Sequence, residues 1–328
     1  MDLHPILNSI ANITVCVVGD VCLDLYWTAD MKKSRLSRET PHYPLPVVDE
    51  RASLGGGGNV MANAAALGVK RLLPVSVIGN DWRAFLLKEQ LAKLGADLSG
   101  IIADPARVTP CYCKPLRTGI SDVVYEDPRL DFENYLPPDP GTEAAVIAAL
   151  DRAAAEADVI AVSDQLTFGV ITPKVRKRIC QIGKTKPVIV DSRDSIGRYR
   201  NVIVKPNDVE AEAATGMASL EAAIACLSQK TGAAAIVTCG PNGALWFENG
   251  NLTRIPAVRV EPPVDTVGAG DTFLAAFACA YAAGADGPAA VAFANRAAAV
   301  TVKKIGTTGT ASPEELLGSE KETQDGRA

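Results

Sequence analysis

Histidine is nearly absent. In 328 residues only His4 and His42 occur, so a mechanism resting on a histidine base, or a metal site built from imidazoles, has almost nothing to draw on. Cysteine is present but unpatterned. The eight residues at 16, 22, 111, 113, 180, 226, 239 and 279 contain no C-x-x-C pair, and Cys111-x-Cys113 has no second pair or histidine nearby. They read as buried, reduced thiols rather than metal ligands, which points to the cytoplasm. No apolar run reaches the roughly 18 to 20 residues that a membrane helix needs, so no membrane partner is expected. The opening MDLHPILNSIANITVCVVGD offers no basic n-region and no small-residue cleavage site, so no signal peptide is expected. The net charge of -5 is short of the basic surface that nucleic-acid backbones demand, though a local basic pocket for a small anion stays open. The first turn, Gly19-Asp-Val-Cys-Leu-Asp24, lacks the glycine fingerprint of a dinucleotide-binding dehydrogenase. No internal repeat is visible.

What is there is ordinary globular material, 48% apolar and 22% charged, long enough to bury a core without staples. Short apolar, β-branched runs at 13–18, 72–78, 159–162, 187–190, 202–204 and 235–238 predict strands buried on both faces of a parallel sheet. Alanine-rich stretches at 59–67, 82–94, 142–155, 173–182, 208–215 and 220–231 predict the helices between them. The alternation implies a layered α/β fold with right-handed crossovers, read as a single domain over 1–315. Segments 25–51 and 109–134 break the pattern and read either as strands of a small lid or as long surface loops. The polar tail 316–328 is expected to be frayed.

Four segments carry candidate chemistry. Asp265-Thr-Val-Gly-Ala-Gly-Asp271-Thr-Phe joins a glycine turn to an apolar small-residue helix, and a helix N-terminus with open amides is an anion site. Asp271 there is either a first-turn carboxylate serving the helix or a base beside a phosphate. Gly55-Gly-Gly-Gly58-Asn59 costs much chain entropy, which close approach of a ligand would explain; Asn59 either caps a helix or hydrogen-bonds hydroxyls. In Lys205-Pro-Asn207-Asp-Val-Glu210, Asn207 and Glu210 form a capping box or order magnesium-bound water at the sheet edge. Thr238-Cys-Gly240-Pro-Asn-Gly243 is a turn that could equally wrap a nucleotide.

Taken together, from about residue 13 to 313, these segments resemble the ribokinase-like (PfkB) carbohydrate kinases, with the Asp265–Phe273 run as C-terminal signature and the early glycines with Asn59 as N-terminal signature. The resemblance implies a three-layer α/β/α sandwich with a mainly parallel sheet and a small β lid. It implies transfer of a phosphoryl group from ATP to a sugar hydroxyl, with Asp271 as base and the backbone of Gly268, Ala269 and Gly270 as anion hole. Lys205, Asn207, Glu210, Thr238, Gly240, Gly243 and Asn295 would border ATP and its magnesium. Asp20, Gly56, Gly57, Asn59, Lys114 and Asp164 would hold the sugar or sugar phosphate. Asp265, Thr266 and the loop at 306–312 are the candidates for a potassium ion, and lid strands that pair between subunits imply a homodimer. Within the family, Gly19-Asp-Val-Cys-Leu-Asp24-Leu-Tyr-Trp27, Ser37-Arg-Glu-Thr-Pro41, Pro46-Val-Val48 and Arg129-Leu-Asp-Phe-Glu133 are similar to heptose-7-phosphate kinases. The run Ser163-Asp164-Gln-Leu-Thr-Phe-Gly169 departs from them by lacking a lysine, and the stretch 114–125 departs as well. A nucleoside or vitamin kinase on the same scaffold, or a catalytically silent sugar or nucleotide sensor, are the rival readings.

Overall fold

The computed structural model describes residues 2–324, with side chains to residue 318. The apolar runs form a nine-stranded sheet: β1 (Thr14–Gly19), β4 (Arg71–Ile78), β5 (Ile101–Ala103), β9 (Val159–Asp164), β10 (Val188–Ser192), β11 (Ile203–Val204), β12 (Ala235–Thr238), β13 (Ala244–Glu248) and β14 (Asn251–Ile255). Their order is β14-β13-β12-β11-β10-β9-β1-β4-β5, parallel except where the β13–β14 hairpin joins antiparallel to β12. Alternation along β1 shows why these strands are apolar throughout. Val15 and Val17 enter one core, Cys16 and Val18 the other, so every side chain is buried.

One core lies under α1 (His4–Ile10), α2 (Gly57–Ala66), α3 (Trp82–Lys93), α8 (Ala269–Ala282) and α9 (Gly287–Thr301); the other under α4 (Pro140–Glu156), α5 (Pro173–Ile182), α6 (Asp208–Thr215) and α7 (Leu220–Thr231). Three layers result. Helix α8 is buried all round from Thr272 to Ala280, as an apolar helix with no polar face must be. The strand and helix spans read from sequence hold to within a few residues, whereas the β13–β14 hairpin and α1 gave no usable period. The tail read as frayed starts as α10 (Pro313–Gln324), with Leu316 fully buried; residues 325–328 lie outside the described residues.

The two pattern-breaking segments pair into a second sheet, β3-β2-β6-β7 with β8 on β6: β2 (Val21–Asp30), β3 (Val47–Gly56), β6 (Cys111–Thr118), β7 (Tyr125–Glu126) and β8 (Leu130–Phe132). It begins at Val21 rather than residue 25, because β2 leaves the main sheet directly after Asp20. One face of this small sheet carries Leu23, Leu25, Cys111 and Cys113, all buried. The other face aligns Asp24 with Tyr112 and Ser53, and Tyr26 with Lys114 and Arg51.

Within the glycine run that joins β3 to α2, Gly56 and Gly57 lie against backbone. Gly56 sits at φ +56°, where a Cβ would lie 2.6 Å from the Asp20 carbonyl, and Gly57 N–H donates to that carbonyl at 2.7 Å. Gly56 and Gly57 thus lock α2 against the β1–β2 crossing.

Candidate active site

The carboxyl ends of β1, β9, β10, β11 and β12 share one sheet edge, and α8 starts beside it. The turn into α8 is held from behind. Asp265 Oδ1 accepts from Val267 N–H at 3.0 Å and Oδ2 from Gly306 N–H at 2.9 Å, while Ala269 N–H donates to Thr266 O at 3.1 Å. Gly268 is left-handed at φ +79°, with Thr308 3.2 Å from where its Cβ would be. The amides of Gly268, Gly270 and Asp271 find no acceptor among the described residues, and Gly270 is exposed. Of the three amides expected to form an anion hole, that of Ala269 is therefore spoken for inside the turn, and Asp271 N–H is the open donor that sequence reading missed.

Asp271 does not cap its helix. The N-cap is Gly268, without any side-chain cap bond, and Asp271 turns instead toward α2, where Asn59 Nδ2 donates to its Oδ2 at 3.0 Å. Burial pushes its carboxyl up to about 7; the Asn59 bond and Lys205 oppose the rise, and Asp191 and Asp24 add to it. A carboxylate poised near neutrality, beside open amides, is suited to accept a proton.

Lys205 and Asp191 face the same turn. Their Nζ and Oδ2 are 2.9 Å apart, Lys205 is 2% exposed, and both atoms lie about 4 Å from where a Gly270 Cβ would sit. Asp191 escaped the sequence reading because it ends an apolar strand with nothing but its position to mark it. Next to the pair, Asn207 and Glu210 make the full capping box: Glu210 N–H to Asn207 Oδ1 at 2.8 Å, and Asn207 N–H to Glu210 Oε2 at 2.9 Å. The box spends one oxygen of each, leaving Glu210 Oε1 and Asn207 Nδ2 without a hydrogen bond among the described residues. No group of three His, Cys, Asp or Glu among the described residues could grip a metal directly. Asp191 and Glu210 are the acidic groups that could face a magnesium ion keeping its waters.

The remaining nucleotide-side residues are mainly structural in their contacts. Thr238 ends β12 and bridges to Asn207; Gly240 opens the following turn at φ +52°. Gly243 is required by the hairpin, since a Cβ there would lie 2.1 Å from Ile255 O. Asn295 Nδ2 donates to the Pro256 carbonyl at 3.1 Å, pinning the strand exit to α9.

On the acceptor side two expectations change. Asp20 is fully engaged: Oδ2 accepts from Gln165 and Leu166 N–H, and Oδ1 from Val170 N–H, all within 2.9 Å. Burial raises its carboxyl to about 6 against those three bonds. It clasps the loop after β9. Asp164 points away too. Ser192 Oγ and Tyr199 OH both donate to its Oδ2 at 2.7 Å, and Arg176 lies 3.6 Å off, on the buried face opposite Ser163. Strand alternation puts the neighbouring Ser163 on the other face of the sheet. Asp20→Ala should strand three buried amides and cost about 3 kcal/mol, read as a lower urea midpoint at unchanged slope.

Asp24 follows Asp20 four positions on, within β2. It is buried on the cleft face of β2, with Lys114 Nζ 3.4 Å from Oδ1 and electrostatic reach to Asp271. Burial raises it; Lys114, Arg129 and Arg51 pull it down. Lys114 also donates to Tyr26 OH at 3.0 Å, so its ammonium is favoured despite burial. Period-two alternation of Cys22, Asp24 and Tyr26 was the available signal.

Residues 12–315 match the family described as pfkB family carbohydrate kinase. The chain belongs to that family. It is similar to the bifunctional protein HldE of Caulobacter vibrioides, 38% identical over 316 residues, and to that of Geobacter metallireducens, 33% identical over 319. These alignments cover 92% and 94% of this chain but 62% and 63% of the relatives, so the chain spans under two thirds of their length. Two solved ribokinases share its fold, each at 22% identity. That of Thermotoga maritima has a TM-score of 0.67, covering 94% of this chain and 99% of that one; that of Arabidopsis thaliana, complexed with ribose and ATP, has 0.66, covering 94% and 98%. As a member of this carbohydrate kinase family the chain has a ribokinase-like α/β fold.

Proposed function

We propose that this pfkB chain transfers the γ-phosphoryl group of ATP to a hydroxyl of a phosphorylated sugar, heptose 7-phosphate being the first candidate. The observation that carries the reading is the partly buried Asp271 carboxylate beside the open Gly268–Asp271 amides and the Lys205 ammonium. In this reading a hydroxyl oxygen attacks the γ-phosphorus in line. Asp271 takes its proton as the new P–O bond forms and the bond to the β-phosphate oxygen breaks, releasing ADP. The amides and Lys205 stabilise the charge on the moving group. Magnesium near Asp191, Asn207 and Glu210 would neutralise phosphate charge when bound. A potassium ion at Asp265, Thr266 and the 306–312 loop would stiffen the same turn.

Cationic side chains on the acceptor side would suit an anionic sugar. Lys114, Arg51 and Arg129 all act on Asp24, and Arg129 also lies over the Tyr112 ring at 4.3 Å. The sequence similarity to heptose-7-phosphate kinases agrees. Exposed Val47, Val48, Val123 and Val124 along the small sheet support a homodimer through its edges. Eight free thiols suit the cytoplasm, and no described helix is long and apolar enough to cross a membrane.

A coupled ADP-release screen tests the reading with hexoses, heptoses, their phosphates and nucleosides. Sugar phosphates should stimulate ADP release at least tenfold more than the unphosphorylated sugars, since about 1.4 kcal/mol of extra charge pairing suffices. Stimulation by nucleosides alone would replace the substrate class, and ATP turnover that no acceptor raises would remove the kinase reading.

A further inference from the structure

The small sheet and the phosphate turn are tied by one side chain. Arg51, on β3, reaches across the cleft and donates from Nη2 to the Gly306 carbonyl at 2.9 Å. Gly306 N–H in turn holds Asp265 Oδ2, and Asp265 Oδ1 holds Val267 N–H, one residue before the left-handed Gly268. The other side of Arg51 lies on the Tyr26 ring, 4.1 Å from its centroid. Arg51, Tyr26 and Lys114 occupy one row across β3, β2 and β6, and Tyr26 OH accepts from the Lys114 ammonium that pairs with Asp24. An unbroken chain of contacts thus runs from the acceptor-side pair Asp24–Lys114 to the turn whose amides face the phosphate.

We propose that Arg51 is a positioning residue that couples the acceptor-facing sheet to the phosphate turn, so that seating the acceptor also sets the Gly268–Asp271 amides. The proposal rests on reading this cleft as a phosphotransferase site. Its physical basis is geometric: the guanidinium is planar and offers separate donors, so it can lie flat on Tyr26 while donating sideways to Gly306 O. An ammonium is a point charge and does one or the other. Arg51 is itself exposed, so its contacts add little to global stability; their effect is on where the 306 loop, and with it Asp265, comes to rest. Displacement of a reacting group by about an ångström can cost on the order of 100-fold in rate, so a loosened link should show in turnover before it shows in folding.

The test uses the full chain as wild type, Arg51→Ala and Arg51→Lys. Hydrogen–deuterium exchange of the amides at 302–310 follows the loop, and steady-state kinetics use MgATP with D-glycero-D-manno-heptose 7-phosphate. In Arg51→Ala the 302–310 amides should exchange about tenfold faster and kcat should fall about tenfold, at nearly unchanged KM for MgATP and unchanged melting temperature. Arg51→Lys should recover only part of both. Exchange at the wild-type rate in Arg51→Ala would overturn the proposal, as would a rise in KM for the heptose phosphate with kcat intact, which marks a direct acceptor contact instead. Should the wild type fail to turn over the heptose phosphate, the substrate reading falls, and the exchange rates still decide the role of Arg51.

Discussion

Asp271→Asn should lower kcat by about 1,000-fold while changing MgATP affinity by less than about twofold, because general-base catalysis by a positioned side chain supplies on the order of 100- to 10,000-fold. The amide keeps the shape of the carboxylate and can still accept the Asn59 hydrogen bond through its oxygen, so the cleft keeps its form. What it loses is the ability to take a proton. The wild-type pH profile carries the same signature. With Asp271 near 7 in the folded protein, only its ionised form accepts the hydroxyl proton, so kcat/KM should climb with pH through about 7 and level off above it. Stability should move the opposite way. The carboxyl is raised from its ordinary 3.8, so the folded protein holds this proton where the unfolded chain has released it. Stability from this group is complete below about 4 and declines as pH rises to about 7. Asp271→Asn removes the cost of the buried charge and should stabilise the protein by about 2 kcal/mol at pH 8, a gain that vanishes at pH 4, where both proteins carry a neutral side chain. Paired thermal melts at the two pH values, together with single-turnover rates, check both halves. A variant that loses activity without gaining stability at pH 8 would mean that Asp271 is not a strained base.

The central sheet was legible because parallel strands buried on both faces leave a plain mark: apolar β-branched runs such as 159–162, interrupted by helices with capping residues. The turn into α8 was legible because a glycine able to take the left-handed φ of Gly268 directly precedes an apolar helix. The acceptor side was harder for a physical reason. In β2 the polar residues alternate with buried Leu23 and Leu25, so Asp20 and Asp24 are both acidic residues near a strand start, and only the three-dimensional path decides between them. Backbone amides of the 165–170 loop consume Asp20, contacts more than 140 residues distant that no local pattern encodes. Asp164 was hard to place for a related reason: one step along β9 turns a side chain from one face of the sheet to the other. Asn207 and Glu210 show that the bland and the functional reading need not compete, since the capping box places the same side chains at the sheet edge beside Lys205.

Lys205→Met should damage folding and chemistry together, and the two can be separated. Its ammonium is 2% exposed and is the direct partner of Asp191, with Asp271 and Glu210 close enough to feel both charges. Removing it leaves three carboxyl groups around one buried spot. A buried pair broken from one side costs about 3 to 5 kcal/mol, so the variant should melt well below the wild type. Turnover should fall about 100-fold or more, the typical loss when one donor to a transition-state anion is removed. Replacing both partners, Lys205→Met with Asp191→Leu, takes away the unpaired charge as well as the pair. Burial of apolar groups of similar size should then restore most of the lost stability, because desolvating an ion pair is itself expensive. Turnover should stay low, since nothing in the double variant brings positive charge to the open amides. The pH profile adds a readout that folding alone would not move. Lys205 lowers the Asp271 carboxyl and Asp191 raises it. The rising limb of kcat/KM should therefore shift to higher pH in Lys205→Met and move back toward the wild-type position in the double variant. A double variant that regains both stability and rate would show that Lys205 serves only to neutralise Asp191, and the charge stabilising the transferred group would then have to come from the turn amides and the metal alone.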